Sequence, residues 1–318
     1  MFKTFFYSKK WLLWAYLGGV FLLTSLYAQV YMSVLINAWF KGFYDLLQNA
    51  QERQISEFWN CIETFLWIVI PYVLLATLTS FIARLYAFRW REAITFDYLP
   101  KWLNVKKDIE GSSQRIQEDV YRFTKLIESL GLDIIRAGMT IVAFMPILWV
   151  LSEEVNIPLF GIFPGSLVYI VLMTSVGGMI ISWFVGIKLP GLEYNNQVVE
   201  AAFRKELVYG EDDKKKYCSP AITGQLFKDL KNNYHKLFFH YGYFDCWSNT
   251  YYQLMVIVPF VVVCPTLFSG AITLGYLMQV SNAFDEVRQG LTILIRRWVD
   301  ITELRSIFKR LREFESKL

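Results

Sequence analysis

The apolar positions of the chain fall into five stretches that contain no Asp, Glu, Lys or Arg, and charged segments separate these stretches. They are Trp11–Phe40, Thr64–Ala83, Ala137–Ser152, Val155–Ile187 and Cys246–Phe284. A helix needs roughly 20 apolar residues to cross a bilayer. The fifth stretch is long enough for two helices, and the segment Pro265–Gly275 within it offers the turn between them. The pattern predicts six transmembrane helices, at approximately 11–36, 61–84, 131–152, 161–187, 246–268 and 271–295.

The basic residues predict the orientation of these helices. If both termini are cytoplasmic, 30 of the 32 Lys and Arg residues lie on the cytoplasmic side, which is the distribution that the positive-inside rule describes. The long connections, about 50 residues between helices two and three and about 58 between helices four and five, then face the cytoplasm. Both are rich in helix-forming residues, and Pro190 with Gly191 is the main break. We expect one transmembrane domain, 1–318, whose helices extend far into the cytoplasm.

The composition excludes most other classes of protein. Apolar residues make up 55% of the chain, charged residues 19% and aromatic residues 18%, which is more apolar surface than a soluble domain of this size can bury. The same values exclude a disordered chain. The net charge of +4 is too small to indicate a nucleic-acid partner. The sequence is therefore interpreted as an all-α, multi-pass integral membrane protein in contact with lipid.

Motifs for catalysis and for cofactor binding are not found in the sequence. It contains no Gly-rich phosphate-binding loop, no HExxH and no GxSxG. His235 and His240 are five residues apart, so on a helix they point roughly 140° away from each other and make poor joint metal ligands. The four cysteines form no CxxC pair and are expected to be inert packing residues. We expect no enzyme, no metal and no cofactor, and transport is the favoured class of function.

Acidic residues near the predicted membrane segments are the candidate functional groups, because carboxylates in such places are costly and usually functional. Glu193, Glu200 and Glu211 are separated by steps of 7 and 11 residues. These steps rotate by about −20° and +20° on a helix, so the three acids share one stripe. Gly210 is expected to interrupt that helix just before Glu211. Glu128 is a further candidate, on the approach to the third predicted span.

Two interpretations of these acids stay open on the residues alone. On solvated cytoplasmic helices they would pair with neighbouring Lys and Arg side chains. Alternatively, they would form a column of protonatable groups along an internal cavity, where burial and like charges raise their pKa values toward the working pH. The sixth predicted span is the most polar and must face protein or water rather than lipid. Its polar residues are Gln279, Asn282, Asp285, Glu286 and Arg288.

Five segments carry a resemblance to a known family, and the match extends over nearly the whole chain, from about residue 37 to 314. The resemblance is most specific over residues 186–213, GIKLPGLEYNNQVVEAAFRKELVYGEDD. It continues in YAFRWREAI (86–94), IEGSSQRIQEDVYRF (109–123), NYHKLFFHYGYF (233–244) and GAITLGYLMQVSNAFDEVR (270–288). In these segments the chain resembles the SbmA/BacA family of bacterial inner-membrane peptide transporters.

The resemblance implies a homodimer whose subunit is similar to the transmembrane half of an ABC exporter without its ATPase. It implies import of peptides, including microcins, glycopeptides and proline-rich antimicrobial peptides, driven by the proton gradient. It also implies a proton-coupling role for Glu128 in LIESLG, Glu200 in VVEAAF and Glu211 in YGEDD. Glu193 is a weaker candidate, and Tyr209 is expected to line the cavity or to form a hydrogen bond beside Glu211. We also expect the chain to lack the N-terminal hydrophobic helix of well-studied members.

The resemblance therefore implies alternating access of a homodimeric cavity in the bacterial inner membrane, with peptides and protons as its partners. Protonation of the glutamates would relieve their mutual repulsion and let the cavity close outward and open inward. Two alternatives remain. The chain could be an ABC-type membrane subunit that a separate ATPase drives, or a membrane scaffold or sensor that transports nothing.

Overall fold

The computed structural model describes residues 1–105, 111–157, 161–213 and 217–318, and within these ranges the chain is helical and contains no strand. Short π-helical turns, Trp14–Gly18 and Arg115–Asp119, lead into the second and fourth helices. The helices are α1 (Phe2–Phe6), α2 (Gly19–Gln48), α3 (Ile55–Leu103), α4 (Val120–Leu151), α5 (Ser166–Gly186), α6 (Leu189–Asp212), α7 (Pro220–Phe268), α8 (Leu274–Arg296) and α9 (Trp298–Glu315).

The prediction of an all-α membrane protein with long helical extensions is confirmed. Five helical runs among the described residues are long and apolar enough to cross a membrane, namely Trp14–Gln48, Ile55–Leu103, Ser112–Glu154, Ser166–Glu211 and Pro220–Phe268. Two of them contain 49 residues each, which corresponds to about 74 Å, more than twice the thickness of the hydrocarbon core. The sixth predicted span corresponds to α8, which is not one of these five helical runs because it contains too many charged residues. The count of six spans therefore stays a prediction.

The boundaries between helices follow the glycines and prolines only in part. The predicted turn at Pro265–Gly275 is confirmed, because α7 ends at Phe268 and α8 begins at Leu274. The helix α5 begins at Ser166, five residues after the approximate start of the predicted fourth span at residue 161. Gly161 and Gly165 both have left-handed backbone angles, with φ of 75° and 74°, which a helix of L-residues does not accommodate.

The chain forms two compact units. The first unit comprises Met1–Leu172 and Pro259–Leu318, and the second comprises Met173–Val258. In the first unit, α8 packs against α2 and α4, so one face of this helix is buried in protein. The buried residues of α8 include Tyr276, Leu277, Val280, Ala283, Phe284 and Val287.

At its predicted cytoplasmic end, the first unit is held together by an aromatic core and a buried carboxylate. Phe5, Trp90, Phe123 and other apolar residues bring together α1, α3, α4 and α9. Beside this core, Asp119 has only 2% of its side chain exposed and pairs with Arg115 at 2.5 Å and Arg310 at 2.8 Å. The helix α9 is thereby fastened to the segment that leads into α4.

A close approach between α2 and α8 depends on Gly275. Its backbone N–H donates to Asp45 Oδ1 at 2.9 Å, and the N–H of Leu274 donates to Gln48 Oε1 at 2.8 Å. The end of α2 therefore caps the start of α8. A Cβ atom at position 275 would overlap the carbonyl oxygen of Lys41.

Replacement of Gly275 with Ala should therefore destabilise the folded protein by about 1–3 kcal/mol, because overpacking forces the two backbones apart. Thermal unfolding of the purified protein in detergent measures this loss. Gly242→Ala is the matched control, because a Cβ atom there meets nothing within 4 Å. Equal melting temperatures for the two variants would contradict the close approach.

Candidate functional site

In the second unit, Glu200 lies on α6 and faces α7. The hydroxyl group of Tyr234 on α7 donates a hydrogen bond to Glu200 Oε1 at 2.9 Å. Glu200 is half-buried. The structure thus places this predicted site residue in a polar contact between two helices, where a phenol hydroxyl donates to a carboxyl group.

Glu193 repeats this arrangement two turns away. The side chain of Tyr241 on α7 forms a hydrogen bond with Glu193, and Glu193 lies about 10 Å from Glu200 along the axis of α6. Asn196, which lies between the two acids on α6, accepts a hydrogen bond through Oδ1 from the Asn233 amide of α7 at 3.1 Å. Because α6 and α7 run antiparallel, two acids spaced by seven residues meet two tyrosines spaced by seven residues. We call Glu193, Glu200, Tyr234 and Tyr241 the Glu–Tyr face.

The predicted acids do not form ion pairs within the described parts of the chain. Glu128, Glu193, Glu200 and Glu211 are absent from all the pairs found there. By contrast, the neighbouring acid Glu118 lies 2.7 Å from Arg122. For the four candidates, the interpretation as carboxylates paired with Lys and Arg is therefore not what the described residues show.

Glu211 lies at the end of the same helix, and the expected interruption at Gly210 was wrong, because α6 continues to Asp212. A Cβ atom at position 210 would overlap the Cys218 sulfur, so this glycine permits close packing of the following segment. Glu211 is exposed, unlike Glu200. Tyr209 is also exposed; its ring lies 5.2 Å from that of Tyr217, and the Lys205 ammonium group lies 5.5 Å from the centre of the Tyr209 ring.

Glu128 belongs to the first unit, in α4. It is half-buried, and the charges that act on it are those of Arg84, Asp133 and Lys125. Asp133 is itself bound to Arg297 at 2.5 Å. The structure thus unites Glu193 and Glu200 on one face, and it places Glu128 in a separate compact unit.

Sequence reasoning missed the tyrosine partners and a polar chain in the first unit. The signal for Tyr234 and Tyr241 was present, because their spacing equals that of Glu193 and Glu200. The contact between Arg136 of α4 and Gln29 of α2, at 2.6 Å, joins residues 107 positions apart and had no local signal. Among the described residues, no group of His, Cys, Asp and Glu side chains could hold a metal ion.

Replacement of Tyr234 with Phe removes only the hydroxyl group that contacts Glu200. If the Glu–Tyr face is functional, the transport rate should fall about tenfold, because a hydrogen bond to a charged group contributes about 1.5 kcal/mol or more. Transport by the purified protein in liposomes measures the rate. Tyr243→Phe, on an exposed part of α7, should leave it unchanged, and equal rates in both variants would exclude a role for the Tyr234 hydroxyl.

Comparison with known proteins gives consistent relatives. The chain is 26% identical over 316 residues to the inner membrane ABC transporter ATP-binding protein YddA of Escherichia coli (strain K12), covering 93% of this chain and 56% of that protein. It is 26% identical over 322 residues to the chloroplastic ABC transporter D family member 2 of Arabidopsis thaliana, covering 95% of this chain and 42% of that protein. The chain therefore spans about half the length of the curated relatives it matches.

The family comparison covers almost the whole sequence. The match extends over residues 8–318, so it includes both compact units and every candidate residue described above. These relatives bear the names of membrane transporters, and five helical runs within the described residues can cross a membrane. The chain is a multi-pass, all-α membrane protein and belongs to the SbmA/BacA-like family.

Proposed function

We propose that the chain imports peptides and peptide antibiotics across the bacterial inner membrane, that it acts as a homodimer, and that the proton gradient drives it. The peptides include microcins, glycopeptides and proline-rich antimicrobial peptides. The observation that carries the proposal is the Glu–Tyr face, where two half-buried carboxylates form hydrogen bonds with tyrosines rather than ion pairs. Membership of the SbmA/BacA-like family supports the same function.

In the proposed mechanism, protons from the outer side neutralise the carboxyl groups of Glu128, Glu193, Glu200 and Glu211. A carboxylate with a phenol partner can accept a proton without breaking an ion pair, so protonation costs no displaced cation. Loss of negative charge relieves repulsion between the acids and lets the helices of the dimer repack around the cargo. Release of the protons to the cytoplasm returns the charge and resets the cavity.

The candidate acidic residues also suit cationic peptides as the transported molecules. Carboxylates that form no ion pair attract cationic peptides at long range, which favours entry without a shape-specific pocket. Recognition of this kind tolerates many sequences. Tyr209 and the other exposed aromatic side chains of α6 and α7 would add apolar contacts with the peptide.

A second candidate function rests on the relatives. Their names describe ATP-binding proteins, and the chain spans about half their length. The chain would then be the membrane part of an ABC transporter, and an ATPase on a separate chain would supply the energy. In that case transport would require ATP, and the ATPase would co-purify.

Uptake into ATP-free liposomes separates the two candidates. The purified protein is reconstituted, an inward proton gradient is imposed, and entry of a fluorescent proline-rich peptide is followed. The proposal predicts uptake that an uncoupler abolishes. Uptake that appears only with ATP and a partner chain would contradict the proton-driven mechanism and support the second candidate.

A further inference from the structure

A guanidinium group lies within the predicted membrane segment of the first unit. Arg136 is on α4, five residues beyond the start of the predicted span 131–152, or about 8 Å along the helix. Its Nη2 atom donates a hydrogen bond to Gln29 Oε1 on α2 at 2.6 Å. A charged side chain at such a depth is rare and usually belongs to a functional site.

The partner of Arg136 is fixed by a chain of hydrogen bonds across two helices. Gln29 Nε2 donates to Thr79 Oγ1 of α3 at 2.9 Å, and the Thr79 and Ser25 hydroxyl oxygens are 2.9 Å apart. Only 2% of Gln29, 3% of Thr79 and 4% of Ser25 is exposed. Because Thr79 holds the amide nitrogen of Gln29, the amide oxygen is presented to Arg136, and one edge of the guanidinium is held in place.

The remaining N–H groups of the Arg136 guanidinium are available as hydrogen-bond donors. An arginine carries five N–H donors, and Gln29 accepts from one of its nitrogen atoms. In the described ranges, no carboxylate lies within ion-pairing distance of Arg136. Arg136 is also exposed. The charge of Arg136 acts on Glu286 of α8, so an acid offsets part of this charge, while the described hydrogen-bond partner of the guanidinium is Gln29.

We propose that Arg136 binds the C-terminal carboxylate of the transported peptide. This inference rests on the proposed function and specifies the chemical group that the transporter recognises. A planar guanidinium can bind a carboxylate through two parallel hydrogen bonds. Every linear peptide with an unmodified C-terminus has one terminal carboxylate whatever its sequence, so a single fixed cation can serve many different peptides.

The surroundings of Arg136 favour a peptide over a lipid headgroup. An arginine that faces lipid extends its charged end toward the membrane surface. Arg136 is instead bound to an almost completely buried amide, and its charge acts on an acid of α8, which packs against both α2 and α4. These contacts place its guanidinium on the side of α4 that faces the bundle.

Equilibrium binding of two forms of one peptide tests the proposal. A fluorescent proline-rich peptide is prepared as the free acid and as the C-terminal amide, and each is titrated against the purified protein in lipid-free detergent. We expect the wild type to bind the acid about tenfold more tightly than the amide. Arg136→Gln should bind both forms alike, and Arg136→Lys should discriminate less than the wild type, because an ammonium group lacks the two-pronged geometry.

Arg122→Gln is the matched control. Arg122 lies on the same helix, 14 residues earlier, and pairs with Glu118 and Glu303 at the surface, so its loss should leave the discrimination unchanged. The wild-type comparison needs no variant, so the test holds even if Arg136→Gln fails to fold. Equal affinity of the wild type for both forms, or unchanged discrimination in Arg136→Gln, would overturn the proposal.

Further outcomes separate peptide binding at Arg136 from lipid binding and from proton coupling. If phosphatidylglycerol stabilises the wild type but not Arg136→Gln, and neither protein distinguishes acid from amide, Arg136 binds lipid and the proposal is overturned. If the wild type distinguishes the two forms but shows no proton-driven uptake in liposomes, the carboxylate site stands and the proton coupling fails. If the wild type shows proton-driven uptake but does not distinguish the two forms, the proton coupling stands and the carboxylate site is overturned.

Discussion

Glu200→Gln should reduce proton-driven peptide uptake at least about 100-fold, to the background of empty liposomes. Glutamine has nearly the same shape as glutamate and can still accept the hydrogen bond from Tyr234, which is 2.9 Å long in the wild type. It cannot bind or release a proton at physiological pH. Loss of a group that must transfer a proton typically costs a factor of 10² to 10⁴. The initial rate of peptide entry under an imposed proton gradient measures the effect.

Asp229→Asn is the control for this variant, because Asp229 is an exposed acid on α7 whose described contact is with the neighbouring Gln225 at 3.1 Å. It should transport at the wild-type rate. The two variants should also unfold at the same temperature as the wild type in detergent, which separates a lost proton site from a lost fold. Wild-type uptake by Glu200→Gln would remove Glu200 from the mechanism.

Asp119→Ala should cause a large loss of stability, on the order of 3 kcal/mol. Asp119 has 2% of its side chain exposed, and it accepts hydrogen bonds from Arg115 at 2.5 Å and from Arg310 at 2.8 and 3.1 Å. The hydrogen bonds with Asp119 also raise the pKa of Arg310 above its usual value. Without the carboxylate, two guanidinium groups remain beside the aromatic core with no anion between them. Thermal unfolding in detergent should show the loss as a lower melting temperature.

Asp97→Ala provides the comparison, because Asp97 forms a surface pair with Lys101 at 2.6 Å, one turn away on α3. Pairs of this kind contribute only about 0.5 kcal/mol. The melting temperature should therefore change much less in Asp97→Ala than in Asp119→Ala. Similar losses in both variants would show that Asp119 does not fasten α9 to the first unit.

The helical class and the long extensions could be predicted because they depend on local sequence. Stretches without charged residues can be recognised from the sequence alone, and the Pro265–Gly275 segment correctly predicted the end of α7. Other glycines were harder to interpret, because a residue without a Cβ atom can either end a helix or make room for a segment packed closely against it. Gly210 was expected to break a helix, but it lies inside α6 and makes room for Cys218.

Of the Glu–Tyr face, only the two acids on α6 could be predicted from the sequence. The stripe of Glu193 and Glu200 follows from the period of a helix, and the structure places both acids on the face of α6 that meets α7. The partners of these acids depend on how the two helices are aligned, which the local pattern does not determine. The same reason explains why Arg136 was not paired with Gln29, since tertiary packing alone brings α2 and α4 together.

Peptide-driven proton movement tests the coupling of peptide to protons most directly. The protein is reconstituted without ATP and without a pH gradient, a proline-rich peptide is added outside, and a trapped dye reports the pH of the lumen. Entry of the peptide down its gradient should acidify the lumen in the wild type and leave it unchanged in Glu200→Gln. Peptide entry in the wild type with no change of pH would contradict proton coupling.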